Sequence, residues 1–164
     1  MSTAVAERPS YDVTAHGSED LEQFVTFTVA GQMFGVPVLR VQDILQTHKI
    51  ASIPLAPPEV RGSINLRGRI VTVIDVRVRL GLEPADEAAT DQMGVTVEMG
   101  MDLYTLLVDS IGDVVSLPSD THEKTPGTLD PQWRDFASGV FRLDGSLMVV
   151  LEIDRLLDIG NELD

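Results

Sequence analysis

The sequence lacks cysteine altogether across its 164 residues. This absence excludes disulfide bonds, thiolate metal sites and cysteine nucleophiles together. Lysine is scarce, with Lys49 and Lys124 as the two examples, and the net charge is −14. Nucleic-acid binding depends on neutralising phosphates with lysine and arginine, so this charge balance argues against a nucleic-acid partner.

Long apolar runs are also missing. The longest wholly apolar stretch, Leu147 to Leu151, is far shorter than the ~20 residues that span a bilayer. The N-terminus, Met1 to Ala4, has neither the basic region nor the apolar region of a signal peptide. We therefore expect a cytoplasmic protein that does not insert directly into a membrane.

Residue patterns that support catalysis are sparse. The sequence has no glycine-rich phosphate loop and no GxSxG nucleophile motif. His16, His48 and His122 are widely separated, and none has a second histidine at helical spacing. Asp75 and Glu152 resemble a pair of catalytic acids, but each is better placed to cap the helix that follows it. We expect no catalytic residue, no metal and no cofactor.

One short pattern occurs twice, in residues 65 to 76 and again in residues 142 to 153. Each copy has a turn glycine (Gly68, Gly145), an apolar strand and a single acid (Asp75, Glu152). A glycine between two apolar runs is typical of a β-hairpin. The repetition predicts two similar β units, and the seam between them is a natural place for a partner to bind.

The rest of the chain favours an all-β domain. Residues 1–20 are polar and lack periodicity, which predicts a disordered tail before a single domain at residues 21–164. Val38, Val41, Ile44 and Leu45 have helical spacing and predict about two turns of helix. A second helix is predicted over Asp154 to Leu163, and a loop or linker over Glu83 to Gln92. Many short strands separated by turns predict two β-barrels.

Two local features each allow two interpretations. Five of the ten arginines lie between Arg61 and Arg79. They form either a solvated strand face or a positive patch that meets an acidic partner. Trp133 and Phe136 either anchor an irregular segment to the core or contact a partner.

Several stretches resemble the chemotaxis coupling proteins of the CheW type. The resemblance rests on Phe34 to Ile44, on Val60 to Gly68 with its Asn-Leu-Arg-Gly hairpin, and on the Ile-Asp-Val-Arg run that ends at Arg77. It extends through Leu107 to Ile111 and Leu151 to Leu157, and so covers most of the predicted domain. It implies two SH3-like five-stranded β-barrel subdomains that share a hydrophobic interface.

The resemblance also implies a function. Proteins of this type are non-catalytic adaptors that couple transmembrane chemoreceptors to the chemotaxis histidine kinase. The implied partners are the cytoplasmic tip of a methyl-accepting receptor and the kinase regulatory domain, with the adaptor monomeric when free and recruited to receptor arrays at the inner membrane. The matched positions for a receptor groove are Val41, Asp43, Ile44, Arg67 and Val108, and those for kinase binding are Gly62 and Asn65.

Two positions depart from the family pattern. Asp43 stands where the family commonly has glutamate, and Thr72 stands where a proline is common. We expect Asp43 and Arg67 to form an ion pair across the rim of the groove. Two other interpretations remain open: a coupling scaffold for a different sensory or motility pathway, and a small β-barrel enzyme with a carboxylate site.

Overall fold

The computed structural model describes residues 20–47, 49–84 and 92–159, and these residues form ten strands. In chain order the strands are β1 (Leu21–Val29), β2 (Gln32–Pro37), β3 (Val41–Thr47), β4 (Val60–Leu66), β5 (Arg69–Asp75), β6 (Gln92–Met99), β7 (Asp102–Val108), β8 (Ser110–Pro118), β9 (Ala137–Leu143) and β10 (Ser146–Leu151). The short α-helices are α1 (Val76–Arg79), α2 (Pro131–Arg134) and α3 (Ile153–Leu156), and 3-10 turns occur at Val38–Arg40 and Ser119–Thr121.

The strands form two five-stranded sheets. Subdomain A has the strand order β9-β10-β2-β1-β8, and subdomain B has the order β3-β6-β7-β5-β4. An isolated bridge from Glu123, after β8, to Val140 on β9 joins the two edges of the first sheet, and a bridge from Ala51 to Ser63 does the same in the second. The predicted fold class, two five-stranded SH3-like β-barrel subdomains, is confirmed.

The two subdomains exchange strands. Each half of the chain contains a hairpin, a single strand, a second hairpin and a short helix, in that order. The first hairpin of each half joins one sheet, whereas the following strand and second hairpin join the other. The chain therefore crosses between subdomains at residues 38–40 and again near residues 108–110, and each barrel contains strands from both halves.

One hydrophobic cluster joins the subdomains. It combines buried residues of subdomain A, such as Phe27 and Phe34, with buried residues of subdomain B, such as Val95 and Leu106. Two smaller clusters each belong to a single barrel, one around Phe141 and one around Val73. The predicted shared hydrophobic interface is therefore present. The largest core cluster lies at the seam between the two barrels.

The helix predicted around Val38 to Leu45 is wrong. Residues Val38–Arg40 form a 3-10 turn and the rest of the segment is strand β3. Val41 pairs with Val97 and Ile44 pairs with Val95, with a register shift between Val41 and Asp43. This β-bulge inserts one extra residue, so two side chains three positions apart lie on one face, which imitates helical spacing.

The remaining local predictions have mixed outcomes. The predicted C-terminal helix is shorter than expected, since α3 ends at Leu156. Ile70, near the start of β5, is 72% exposed because it lies beside the hairpin turn. Trp133 and Phe136 do pack against the shared core, with the Trp133 ring 5.5 Å from that of Phe34. Most of the predicted tail and linker lies outside the described residues.

Candidate functional site

An exposed ion pair joins strand β3 to the hairpin between β4 and β5. Arg67 Nη2 lies 2.8 Å from Asp43 Oδ2, and the Arg67 side chain is 74% exposed. The predicted ion pair is confirmed. Strands β3 and β4 are the two edges of the subdomain B sheet, so the pair also connects the edges of this barrel.

The hairpin turn holds Arg67 in an unusual conformation. Arg67 has φ of 53° and Gly68 has φ of 87°, as expected of a two-residue turn in which both central residues have positive φ. Asn65 Oδ1 accepts a hydrogen bond from Gly68 N at 2.9 Å and stabilises the turn. Glycine suits such a turn, whereas arginine is conformationally disfavoured there, which points to a role for the Arg67 side chain beyond the turn.

The two faces of β3 present different chemistry. Asp43 lies on the same face as Leu45, which packs with the interior cluster of subdomain B. Ile44, the next residue in the strand, therefore points to the opposite face, where it is 41% exposed. Val41 lies on the face of Ile44, is half-buried and packs against the shared core. Polar and apolar groups thus lie on either side of one edge strand.

The internal repeat provides a comparison within the same chain. Register places Asp113 and Val114 of β8 at the positions that Asp43 and Ile44 have in β3. Asp144, in the hairpin turn of subdomain A, corresponds to Arg67. Subdomain A therefore has two acids where subdomain B has an ion pair, and the two otherwise similar barrels differ in charge at this point.

The arginines between Arg61 and Arg79 do not form a free positive patch. Arg61 pairs with the buried Asp75 at 2.9 Å, and Arg79 donates to the carbonyl of Leu156 at 2.8 Å while its guanidinium lies 4.7 Å from the centre of the Phe136 ring. Arg77 binds Asp109 through two hydrogen bonds of 2.8 and 2.7 Å. Four of the five arginines therefore form ion pairs with acidic groups of the protein itself.

The Arg77–Asp109 pair also shifts the pKa of both groups. Hydrogen bonding to Asp109 raises the pKa of Arg77 against the opposing effect of burial. Burial acts to raise the pKa of Asp109, but the hydrogen bonds from Arg77 and from the Ala30 amide, together with the Arg77 charge, lower it overall. Both groups therefore stay charged at neutral pH.

The two repeated acids have different roles. Asp75 is 1% exposed and caps α1 by accepting a hydrogen bond from Arg77 N at 3.0 Å, as predicted. Glu152 precedes α3, but within the described part of the chain its side chain makes no capping hydrogen bond. The predicted cap at Glu152 is therefore wrong, because the repeat preserves the charge but not the shorter side chain that reaches the helix.

Three other predicted site residues have largely structural positions. Val108 is 3% exposed and belongs to the shared core, so its side chain does not line a surface groove. Gly62 is buried beneath residues 50 and 51, and a Cβ there would collide with the Ala51 carbonyl oxygen. Neither residue is exposed to a partner. Asn65 is exposed, and kinase binding there stays a prediction.

Two features of the described residues concern other possible functions. Across residues 20–47, 49–84 and 92–159, no three acidic or histidine side chains lie close enough together to hold a metal ion. In the same part of the chain, no helix is long and apolar enough to cross a membrane.

The described residues thus form two five-stranded β-barrels that share a hydrophobic core and leave edge strands exposed. The CheW-like domain family model matches residues 23–160, and the chain belongs to that family. A probable chemotaxis protein CheW from Rhizobium etli is 29% identical over 147 residues, covering 90% of this chain and 94% of the relative. The protein PilI of Pseudomonas aeruginosa is 26% identical over 126 residues, covering 76% of this chain and 70% of the relative.

A solved structure agrees with this assignment. The crystal structure of the scaffolding protein TtCheW from Thermoanaerobacter tengcongensis superposes with a TM-score of 0.76 at 25% sequence identity. The match covers 86% of this chain and 95% of that protein. The similarity therefore extends across both subdomains.

Proposed function

We propose that this protein is a non-catalytic adaptor of chemotaxis signalling, which couples the cytoplasmic tip of a methyl-accepting chemoreceptor to the regulatory domain of the chemotaxis histidine kinase. Membership of the CheW-like family supports this role, as do relatives described as chemotaxis and scaffolding proteins. In this role the protein works in the cytoplasm and is recruited to receptor arrays at the inner membrane.

The Asp43–Arg67 ion pair is the observation that supports a particular surface as the binding site. It is exposed on the Arg67 side, and its counterpart positions in subdomain A are both acidic. A partner whose binding depends on charge complementarity can therefore distinguish the two barrels. An exposed pair contributes only ~0–1 kcal/mol to stability, so its main effect is on partner specificity, to which electrostatic complementarity contributes more than to raw affinity.

Ile44 supplies an apolar contact on the other face of the same edge strand. It is exposed although it is a large aliphatic residue in a well-formed strand. Desolvated apolar anchors contribute most of the energy of protein interfaces, whereas charges at the rim contribute mainly specificity. We place the receptor tip on this edge of subdomain B, in contact with Ile44 and the Asp43–Arg67 pair.

Co-sedimentation with receptor-containing membranes and the kinase tests this function. The variants Asp43→Ala, Arg67→Ala and the double variant form a double-mutant cycle on receptor binding. We expect each single variant to weaken binding and the cycle to show coupling of ~0.5 kcal/mol or more. Asp113→Ala and Asp144→Ala, at the corresponding positions of subdomain A, are the matched controls and should leave receptor binding unchanged.

Two results would count against the proposal. Strict additivity in the cycle would show that Asp43 and Arg67 contribute to receptor binding independently and not as an ion pair. Unchanged assembly of receptor, kinase and the Arg67→Ala variant would show that the site is elsewhere. If the protein fails to sediment with chemotaxis receptors but does so with receptors of another system, the alternative of a coupling scaffold for a different sensory or motility pathway is favoured.

A further inference from the structure

The two chain crossovers are each held by an ion pair between a helix of one subdomain and the crossover itself. The chain passes between the barrels only at these two places within residues 20–47, 49–84 and 92–159. Any change in the angle between the subdomains must therefore bend the backbone at residues 38–40 and 108–110. Contacts at these points act on the angle more directly than contacts elsewhere.

The first contact is the pair between Arg77 and Asp109. Arg77 lies on α1, which follows β5 of subdomain B, and both of its hydrogen bonds to Asp109 are charged. Asp109 in turn binds subdomain A, because its carboxylate accepts from Ala30 N at 2.8 Å and its own amide donates to Thr28 O at 3.0 Å. A single residue thus joins the crossover to both subdomains.

The second contact is the pair between Arg40 and Asp154. Asp154 lies on α3, which follows β10 of subdomain A, and its Oδ1 is 2.8 Å from Arg40 Nη2. Arg40 also binds subdomain B, since its Nε and Nη2 donate to the Glu98 carbonyl at 3.1 and 2.8 Å. Again one crossover residue contacts both subdomains.

The helix residues of the two contacts have corresponding positions after the two copies of the repeat, and the two contacts have opposite polarity. Arg77 and Asp154 each lie two residues after the acid of their copy, Asp75 and Glu152. In one contact the helix supplies the cation and the crossover supplies the anion, and in the other the charges are reversed. Each crossover therefore pairs with a different helix, Asp109 with α1 and Arg40 with α3.

We propose that Arg77–Asp109 and Arg40–Asp154 are positioning pairs, which act together with the shared hydrophobic core to fix the angle between the subdomains and so the shape of any surface that spans both. The proposal rests on the proposed function only in its consequence for the receptor. Two-pronged guanidinium–carboxylate contacts such as Arg77–Asp109 restrict orientation as well as distance. If the angle becomes variable, only a fraction of molecules is competent to bind, and the apparent Kd rises by the inverse of that fraction.

A distance measurement tests the proposal without any partner. Because the chain has no cysteine, cysteines introduced by Met101→Cys in subdomain B and Ser146→Cys in subdomain A are unique sites for spin labels, and both positions are exposed. In the doubly labelled protein, Arg40→Gln combined with Arg77→Gln should broaden the distribution of label distances measured by pulsed electron paramagnetic resonance.

The matched control is Arg142→Gln. Arg142 pairs with Glu123 at 3.1 Å entirely within subdomain A, so its loss should leave the distance distribution unchanged. If the double variant does not fold, Asp154→Asn offers a milder test, since that side chain is 65% exposed. A distribution as narrow as in the parent protein, in a folded variant, overturns the proposal.

Receptor binding then tests the consequence. We expect the double variant to bind receptor membranes with an apparent Kd about three- to tenfold higher, and Arg142→Gln to bind as the parent does. A broadened distribution with unchanged receptor affinity would overturn the claim that the angle matters for binding. If the parent protein itself does not bind receptor, the proposed function fails, but the distance measurement still decides whether these pairs fix the angle.

Discussion

At Gly62 the backbone takes a conformation that other residues rarely adopt. Its φ is 151°, and Gly139, which precedes the second copy of the repeat as Gly62 precedes the first, has φ of 152°. A Cβ at Gly62 would lie 2.7 Å from the Ile50 side chain and collide with the Ala51 backbone. The close approach of the backbone at Gly62 to that at Ala51 allows the β-bridge between Ala51 and Ser63, which closes the barrel.

We therefore predict that Gly62→Ala destabilises the protein by about 3 kcal/mol, through backbone strain and a backbone collision together. The matched variant is Gly68→Ala, which also has positive φ but has no atom within 4 Å of the added Cβ. It should lose about 1 kcal/mol, from strain alone. Urea unfolding of both variants measures the difference, and equal losses would contradict this explanation. If Gly62→Ala is destabilised as expected, weak kinase binding by this variant would reflect damage to the fold and not the loss of a contact with the kinase.

At the scale of the element, strand β3 shows which features the sequence could predict. The ion pair between Asp43 and Arg67 was predictable from matched motifs, although the secondary structure around Asp43 was not. A bulge in an edge strand changes the spacing of apolar residues from two to three, and local periodicity cannot separate that from a helix turn. The hairpins around Gly68 and Gly145 were predictable because their turn chemistry is local.

The same strand gives a prediction about partner contacts. Ile44→Thr keeps a β-branched residue in the strand and should change the free energy of unfolding by less than about 1 kcal/mol, because the side chain is already partly exposed. Receptor binding should weaken about fivefold, the equivalent of ~1 kcal/mol. The matched variant Val114→Thr changes the corresponding, 55% exposed residue of subdomain A and should bind normally. Equal binding by both variants would remove Ile44 from the site.

The ion pair between Arg77 of α1 and Asp109 of the crossover at residues 108–110 predicts that the stability of the protein depends on pH. The folded protein has a lowered pKa at Asp109, so this group adds stability above its unfolded pKa of ~3.9, and that contribution is lost as the pH falls through the folded pKa. Asp109→Asn should be less stable than the parent protein at pH 7, and the gap should narrow at pH 3. Unfolding by urea at both pH values measures it. A gap that stays constant would show that the Asp109 charge does not contribute.

At the scale of the whole molecule, the repeat predicted two β units and a shared seam, but not the exchange of strands between them. Each copy of the repeat is a contiguous segment, and the simplest expectation is one barrel from each. Pairings such as β2 with β10 join residues more than one hundred positions apart, for example Met33 with Met148. Such long-range pairing depends on which surfaces fit after collapse, and no local pattern of residues encodes it.

Strand exchange leads to a prediction about the two halves of the chain. In the fragment of residues 20–84, β1 lacks its neighbour β8 and β2 lacks its neighbour β10, while β3 and β5 lose β6 and β7. What is left in either half is mainly isolated hairpins, and an isolated two-stranded hairpin is marginally stable at best in water. The fragments of residues 20–84 and 92–159 should therefore each be unfolded alone by circular dichroism. Mixed at equal concentration, they should recover strand signal and a cooperative thermal transition, because the shared core then forms between them. A cooperative transition in either fragment by itself would mean that one half builds its own barrel, which would contradict the exchanged pairing.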